Sequence, residues 1–252
     1  MVLTKSILFF SFIIVCIGCF LYFYRAKYNL AFYTCFYGDS ANPAYKIPEL
    51  PSEKYDCYYF SNNQDILKKL DGTKWIQVYD NKKPSSDVIQ SCMQGKHVKV
   101  LPEDFGILTK YDYLCFLDSK LDKLSETFIE NLIEKYFIEQ NYALLLRNHI
   151  NLQDSVWNEF YESMRQDRYA KQKNNIILYI NEQISSGLKE TTENHAQCGL
   201  LIRNMKHPKI YDLDATWYSH IQKCGIQDQI SFYFVKQFFP HDIHMFKEIP
   251  FV

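Results

Sequence analysis

Short apolar runs alternate with polar turn residues along the chain, and this pattern predicts most of its elements. Strands are predicted at residues 30–37, 55–60, 74–79, 111–117, 143–147 and 199–203. The first three runs each end in turn residues, such as Gly38-Asp39 and Asp80-Asn81, and long segments separate them. Widely separated runs of this kind are typical of strands that alternate with helices, rather than of hairpins. The pattern predicts an α/β fold with a mostly parallel sheet flanked by helices.

Helices are predicted where the apolar spacing changes from two to between three and four residues. The predicted helices cover residues 86–95, 125–140, 153–166, 175–185, 211–224 and 227–238. Ser85 or Ser86 is the expected N-cap of the first, and Ser125 opens the second. No proline- or glycine-rich linker divides the chain, so we expect one domain over residues 28–252.

Residues 6–24 form a charge-free stretch that spans roughly 28 Å as a helix, close to the thickness of the bilayer interior. This predicts one N-terminal transmembrane helix, with residues 1–27 as anchor and flank and the protein as a single-pass membrane protein. A cleaved signal peptide is the alternative, but no small-residue cleavage site follows the stretch. Lys5 precedes it and Arg25 and Lys27 follow it, so the charges do not decide on which side the domain lies.

The composition of the chain excludes some classes of function. The 252 residues are 47% hydrophobic, which suits one sizeable core. The net charge is −1, so the chain lacks the basic surface that nucleic-acid binding requires. Two of the eight cysteines lie in the predicted anchor, and the other six form no C-x-x-C pair and no metal-ligand spacing. Several of the six lie in apolar runs where cysteine acts as a small hydrophobe.

The strand predicted at residues 111–117 runs directly into Asp118, and Asp122 follows. Ligands of open α/β sheets bind outside the carboxyl ends of the strands, so Asp118 occupies a position where functional residues are found. Asp118 and Asp122 together can share a divalent cation, which would then contact a diphosphate. The structural alternative is that Asp118 caps the turn and Asp122 belongs to a solvated loop. Spacing alone favours neither.

Further candidates lie near other strand ends. Lys96 and Lys99 share one face of a helix end and can contact phosphates, although exposed lysines are more often simply solvated. Arg203 ends a predicted strand, and a guanidinium suits phosphate recognition. His149, after another strand, is a candidate for substrate binding; a lone loop histidine is more often merely exposed.

Several motifs carry a resemblance to a known family. They are GKHVKVLP at residues 95–102, YDYLCFLDSKL at 111–121, GLLIR at 199–203, Trp217, and DQISF at 228–232. In this order, over roughly residues 31–238, the chain resembles the plant mucilage- and turgor-related family of glycosyltransferase-like proteins. Members are similar to enzymes of the GT-A fold, in which a metal-binding Asp-x-Asp ends a central strand. The resemblance implies a GT-A-like domain that transfers a sugar from a nucleotide donor.

The resemblance also implies roles for particular residues. Lys120 replaces the second metal ligand, as in the family, so either Asp122 completes the metal site or Lys120 meets the diphosphate. Asp228 and Gln229 are similar to an Asp-Gln pair beside the reacting sugar in retaining transferases; an N-cap is the alternative role for Asp228. GT-A enzymes often supply a C-terminal histidine to the metal, here His241 or His244.

The sequence thus predicts a membrane-anchored, metal-assisted glycosyltransferase. The expected donor is a nucleotide sugar, with a UDP-sugar favoured, the acceptor a glycan or glycoconjugate, and the cofactor Mn²⁺ or Mg²⁺. The expected donor-binding residues are Lys96, Lys99, Asp118, Lys120, His149 and Arg203. A lipid hydrolase of the ceramide type, known for one plant relative, and a non-catalytic binding protein of the same fold are the alternatives. No clustered metal-binding histidines support the hydrolase.

Overall fold

The computed structural model of the protein describes residues 26–39, 46–119, 121, 124–149 and 155–248. The strands are β1 (Leu30–Cys35), β2 (Asp56–Ser61), β3 (Ile76–Tyr79), β4 (Tyr113–Leu117), β5 (Leu144–Asn148), β6 (Ala196–Asn204) and β7 (Ile243–Phe246). The α-helices are α1 (Gln64–Lys68), α2 (Val88–Val100), α3 (Glu126–Leu132), α4 (Val156–Ser163), α5 (Asp167–Ala170), α6 (Lys173–Ser185), α7 (Ile210–Cys224) and α8 (Asp228–Val235). A 3₁₀ turn at Pro102–Asp104 and a π-helical segment at Ile133–Ile138 complete the described elements.

The strands form a seven-stranded sheet in the order β3-β2-β1-β4-β6-β5-β7. Every neighbouring pair is parallel except the two that involve β6, which runs antiparallel to both β4 and β5. The expected mostly parallel sheet is therefore confirmed. We call the side of the sheet where β1, β2, β4 and β5 end the carboxyl rim; β6 begins on this rim and ends on the opposite one.

Successive strand residues face opposite sides of the sheet and pack into two separate layers. Tyr33 of β1 faces the layer that contains α2 and α7, and Trp217 of α7 is fully buried there. Phe32 faces the other layer, where α3 and the π-helical segment pack. A smaller cluster joins α4, α6 and α8. Each fully buried aromatic or leucine side chain contributes about 1.5–3 kcal/mol, so these layers hold the strand ends in fixed positions.

Most predicted elements are present, with three instructive differences. The helix predicted over residues 125–140 is capped by Ser125, whose hydroxyl accepts from the Phe128 N–H, but it is α-helical only to Leu132 and continues as a π-helix. The short helices α1 and α5 were not predicted. The last strand, β7, was also missed: its four residues follow a proline and read as a turn, yet they pair with β5.

The prediction of a single-pass membrane protein is corrected by the structure. Within the described ranges, no helix is both long enough and apolar enough to cross a bilayer. The predicted span, residues 6–24, lies outside those ranges.

Candidate active site

Asp118 lies on the carboxyl rim, directly after β4. Its backbone N–H donates to the carbonyl of Gly199 in β6 at 2.8 Å, and its own carbonyl accepts from the Leu121 N–H at 2.9 Å. The first bond continues the pairing of β4 with β6 by one residue, and the second closes a turn directly after the strand. The side chain of Asp118 is half-buried at the position where α/β sheets bind ligands.

Lys96, Lys99 and Asp228 meet at one point of the structure. The two lysines are three residues apart in α2 and therefore share a helix face. The Asp228 Oδ2 atom lies 2.6 Å from the Lys96 Nζ and 2.5 Å from the Lys99 Nζ. The side chains of Lys99 and Asp228 are only 7% and 5% exposed. Three residues that the sequence singled out separately thus form one buried charged group.

The two lysines control the charge of Asp228. Burial opposes ionisation of the carboxyl group, but Lys96 and Lys99 outweigh it and lower the pKa of Asp228 to about 2. Burial likewise lowers the pKa of Lys96, and the Asp228 charge more than reverses that effect. Asp228 and Lys96 are therefore both ionised at neutral pH, and the group sets two lysines against one carboxylate.

The position of Asp228 follows from how α7 ends and α8 begins. Gly225 ends α7 with φ of 104° and ψ of −164°, a backbone conformation open almost only to glycine. The indole N–H of the buried Trp217 reaches the Asp228 carbonyl at 3.3 Å and the Ser231 hydroxyl at 3.2 Å. These contacts fix the first turn of α8, in which Asp228 is the first residue.

The thiol of Cys35, at the end of β1, relates Asp118 to the lysine pair. The pKa of this thiol is raised to about 12, by burial first and by the Asp118 charge second, while the Lys99 and Lys96 charges oppose the rise. The charges on both sides therefore act on the same side chain. Asp118 and the Lys96–Lys99–Asp228 group lie on the same rim of the sheet.

Glu159, which the sequence did not single out, contacts the beginning of α8. The Gln227 Nε2 donates to the Glu159 Oε1 at 2.7 Å. Burial, followed by the Asp228 charge, raises the pKa of Glu159 to about 8. One signal was present in the sequence: Glu159 shares a helical stripe with the apolar Val156 and Phe160.

Arg168 and Tyr169 of α5 were missed for the same reason, since residues 151–190 contain no recognisable motif. Tyr169 is buried, and the charges of Asp228 and Lys99 both act on its phenol. The Arg168 guanidinium lies 4.6 Å from the centre of the Tyr169 ring, and it donates to the Tyr169 hydroxyl at 2.9 Å. The α5 turn therefore borders the Asp228 group.

His149 follows β5 and lies on the carboxyl rim, as its position after a parallel strand suggested. Its backbone N–H donates to the His195 carbonyl at 2.6 Å, which ties the end of β5 to the start of β6. Burial, followed by the Arg147 charge, lowers the pKa of the His149 imidazole. A neutral imidazole on this rim is compatible with the substrate-binding role that the sequence predicted.

Arg203 is not where its predicted role requires it to be. Because β6 is antiparallel, its carboxyl end lies on the opposite rim, and Arg203 pairs in register with Leu114 at the beginning of β4. The guanidinium is fully buried, 2.8 Å from the Asp214 carboxylate and 2.9 Å from the Tyr33 hydroxyl. The expectation that Arg203 binds the donor is therefore corrected: it forms a buried ion pair in the core.

The expectation that His244 is a metal ligand is also wrong. It lies in β7, opposite Leu145, and its ring stacks on Tyr136 with a centroid distance of 4.1 Å. It is held among aromatic rings on the far side of β5 from Asp118. Lys120 and Asp122 lie outside the described residues, and within the described part of the chain no three His, Cys, Asp or Glu side chains group as a metal site would require.

Comparison with solved structures finds glycosyltransferases at low identity. Mouse xyloside xylosyltransferase 1 in its apo form is 11% identical, with a TM-score of 0.42, over 86% of this chain and 84% of that chain. Core-mannan synthase A from Aspergillus fumigatus in its Mn/GDP form is 14% identical, with a TM-score of 0.44, over 88% of this chain and 73% of that chain. The apo bifunctional glycosyltransferase WbbM is 12% identical, with a TM-score of 0.42, over 88% of this chain but 39% of that chain.

Comparison of the sequence with protein families gives a match over most of the chain. Residues 68–251 match the family described as TOD1/MUCI70, glycosyltransferase-like domain. No curated protein sequence matches the chain. The match covers more than half of the chain and contains Lys96, Lys99, Asp118 and Asp228, so the residues on the rim belong to a glycosyltransferase-like domain. The chain belongs to the TOD1/MUCI70 family, which confirms the resemblance found in the sequence.

Proposed function

We propose that this chain is a glycosyltransferase of GT-A type that moves a sugar from a nucleoside diphosphate donor, a UDP-sugar, to a glycan or glycoconjugate acceptor. The observation that carries the proposal is the Lys96–Lys99–Asp228 group at the beginning of α8. It combines excess positive charge, which suits a diphosphate, with a fixed carboxylate, which suits sugar hydroxyls. Membership of a glycosyltransferase-like family supports the reaction class.

Within this proposal, the Asp228 carboxylate binds and orients the sugar rather than removing a proton. A general base works best when its pKa lies near the working pH, and the pKa of Asp228 is lowered to about 2. A carboxylate that is held ionised by two lysines is a strong acceptor for hydroxyl groups and a fixed negative charge beside a developing positive sugar. Gln229, next along α8, supplies both a donor and an acceptor to the same sugar.

Lys96 is the residue of this group that we expect to contact the diphosphate. Its side chain is 17% exposed, more than that of Lys99, so it can reach a ligand while Lys99 remains bound to Asp228. An ammonium group binds phosphate as a compact point charge and stabilises the charge that builds on the departing nucleoside diphosphate.

A divalent cation, Mn²⁺ or Mg²⁺, is part of the proposal through Asp118. Such ions are commonly held by one or two carboxylates together with the phosphates of the substrate, and Asp118 offers a carboxylate at the end of a strand on the rim. When bound, the cation would neutralise charge on the diphosphate. His244 takes no part, because it lies in β7 against Tyr136.

Thermal unfolding in the presence of nucleotides tests the proposal. UDP, GDP, UDP-glucose, UDP-galactose and UDP-xylose are added at large excess with and without Mn²⁺. A ligand at a hundredfold excess over its Kd stabilises the folded state by about 2.7 kcal/mol, which is readily measured. We expect a UDP-sugar to raise the Tm, and UDP to be released when an acceptor is supplied. The donor assignment is refuted if no nucleotide raises the Tm.

Two variants separate the parts of the proposal. Asp118→Asn keeps the side-chain shape and should abolish the Mn²⁺-dependent part of the Tm increase. Asp212→Asn, at an exposed position of α7, serves as the matched control and should behave as the wild type. Equal nucleotide affinity of Asp118→Asn and wild type in Mn²⁺ would remove Asp118 from the metal site. Donor binding without release of UDP would assign the chain as a non-catalytic member of its family.

A further inference from the structure

Tyr33 of β1 is fully buried, and its hydroxyl makes two hydrogen bonds in the core. The hydroxyl oxygen lies 2.9 Å from the Arg203 Nη1 and 3.0 Å from the Lys99 carbonyl oxygen. A guanidinium only donates hydrogen bonds, so the Tyr33 oxygen accepts from Arg203 and its single hydrogen is directed at the Lys99 carbonyl. Burial raises the pKa of the Tyr33 phenol, so the hydroxyl keeps that hydrogen at neutral pH.

The Lys99 carbonyl accepts this bond because α2 ends one residue later, at Val100. Carbonyls in the last turn of a helix lack partners along the helix. Leu101 leaves the helix with φ of −115° and ψ of 62°, and Pro102 then begins the 3₁₀ turn. The Tyr33 hydroxyl therefore supplies, from the sheet, a donor that the helix does not provide at this position.

The side chain of Lys99 is held at its other end by the candidate site. Its Nζ lies 2.5 Å from the Asp228 Oδ2 and 5.3 Å from the centre of the Phe116 ring. The Tyr33 ring packs edge-on against the same Phe116 ring, with a centroid distance of 5.3 Å. The backbone of Lys99 is thus tied to β1 and its ammonium group to α8, so a shift of the last turn of α2 would also move the ammonium group.

Asp214 of α7 fixes the guanidinium that orients the Tyr33 hydroxyl. The Arg203 Nε lies 2.8 Å from the Asp214 Oδ2, and both side chains are completely buried. The contacts form one continuous series from Asp214 through Arg203, Tyr33 and Lys99 to Asp228. This series joins α7, β6, β1, α2 and the first turn of α8.

We propose that Tyr33 is a positioning residue of the candidate active site. With its hydroxyl oriented by Arg203, it fixes the last turn of α2 and thereby holds the Lys99 ammonium group against Asp228. This inference deepens the proposed function and rests on it for the identity of the ligand. The effect of Tyr33 on Lys99 does not depend on that function and can be tested without a ligand.

Chemical labelling of lysines tests the contact in the free protein. The protein is methylated briefly with formaldehyde and cyanoborohydride, and mass spectrometry of its peptides gives a rate for each lysine. In Tyr33→Phe we expect the rate at Lys99 to rise about tenfold, an effect that one buried hydrogen bond can have on a local opening equilibrium. Lys236, a second buried lysine, donates to the Glu193 carbonyl at 3.1 Å and reports general loosening of the fold. Its rate should change little.

Tyr58→Phe is the matched control for loss of a buried phenol hydroxyl. Tyr58 is 2% exposed in the neighbouring strand β2, and its hydroxyl pairs with the Tyr111 hydroxyl at 2.8 Å. This variant should leave the labelling rate of Lys99 as it is in the wild type. A rise at Lys99 equal to that in Tyr33→Phe would show that the effect is not specific to the Tyr33 contact and would contradict the inference.

A second variant tests the same series from its other side. Arg203→Lys retains the positive charge but lacks the planar fork that contacts Asp214 and Tyr33 together. We expect it to raise the labelling rate of Lys99 selectively, as Tyr33→Phe does. An unchanged rate at Lys99, or an equal rise at Lys99 and Lys236, in either folded variant overturns the inference.

UDP-galactose binding tests the consequence for the site. In Tyr33→Phe we expect the Kd to rise about tenfold, which corresponds to about 1.4 kcal/mol, whereas Tyr58→Phe should bind as the wild type does. An equal Kd in Tyr33→Phe and wild type would refute the role of Tyr33 in the donor site. If the wild type does not bind UDP-galactose, the proposed donor is wrong, and the labelling rates still decide whether Tyr33 holds Lys99.

Discussion

Lys99 and Asp228 are separated by 129 positions in the sequence and lie 2.5 Å apart, Nζ to Oδ2, in the core of the candidate site. The contact joins α2, which packs on the parallel half of the sheet, to α8, which follows the antiparallel strand β6. Tyr33 of β1 contacts the same part of α2. Its hydroxyl donates to the Lys99 carbonyl at 3.0 Å and accepts from the Arg203 guanidinium. The buried core ion pair and the candidate site are thus connected through one tyrosine.

Removal of the Asp228 charge should destabilise the fold as well as weaken donor binding. Asp228→Asn leaves Lys96 and Lys99 buried without an anion, so we expect a loss of about 2–4 kcal/mol in the free energy of unfolding at pH 7. Urea unfolding measures it. Asp212→Asn breaks only an exposed pair with Lys209 and should cost less than about 1 kcal/mol.

The difference in the free energy of unfolding between wild type and Asp228→Asn should depend on pH. The pKa of Asp228 is lowered to about 2 in the folded state, below the usual value for an aspartate, so its contribution is complete above about pH 4. The stability difference between wild type and Asp228→Asn should therefore shrink as the pH falls from 4 to 2. A difference that stays constant over this range would contradict the ion-pair geometry.

Arg203 should matter for stability through Asp214. Arg203→Met leaves a fully buried carboxyl group without its partner, and we expect it to cost about 3–5 kcal/mol. The double variant Arg203→Met with Asp214→Leu should cost less than the sum of the two single variants, because it leaves no charge behind. Lys206→Met, which breaks an exposed pair with Asp112, should cost less than about 1 kcal/mol. Additive single costs would show that the pair is not coupled.

Gly225 should tolerate no side chain. A Cβ there would lie 2.6 Å from the Gln172 Oε1 atom, which itself accepts from the Ile226 N–H, and the backbone has φ of 104°. We expect Gly225→Ala to cost about 2–4 kcal/mol, from backbone strain together with displacement of Gln172. Gly187 is the matched control, since its φ of 99° is similar but no atom lies within 4 Å of its Cβ position.

Gly187→Ala therefore measures the strain alone, which we expect to be about 1–2 kcal/mol. The difference between the two variants reports the contact with Gln172 together with the strain from the ψ of −164° at Gly225. If Gly187→Ala costs as much as Gly225→Ala, the close approach of Gln172 does not contribute. Thermal unfolding of both variants under the same conditions is sufficient.

The parts of the site that could be predicted are those with local signals. The apolar run before Asp118, the helical spacing of Lys96 and Lys99, and the start of a helix at Asp228 are each visible over a few residues. The contact between Lys96, Lys99 and Asp228 could not be predicted from any of these local signals. Their meeting depends on the order of the strands, and on Trp217 fixing the beginning of α8.

The predictions that proved wrong depend on the direction of a strand and on pairing between strands that are far apart in the sequence. Arg203 ends a strand, as predicted, but local sequence does not show that β6 runs antiparallel and so carries Arg203 to the opposite rim. His244 lies in a four-residue strand that exists because β5 pairs with it. Glu159 was missed because a single acid on an amphipathic helix is ordinary until its contact with the Gln227 amide is known.

The strand that contains His244 has a further consequence, for self-association. β7 forms hydrogen bonds along the outer side of β5, whose first residues are three consecutive buried leucines. A chain shortened before residue 243 would leave this apolar strand with unpaired backbone N–H and C=O groups, which readily recruit a strand from another molecule. The C-terminal segment therefore protects the sheet against aggregation, and shortened variants should include residues 243–246 to remain monodisperse.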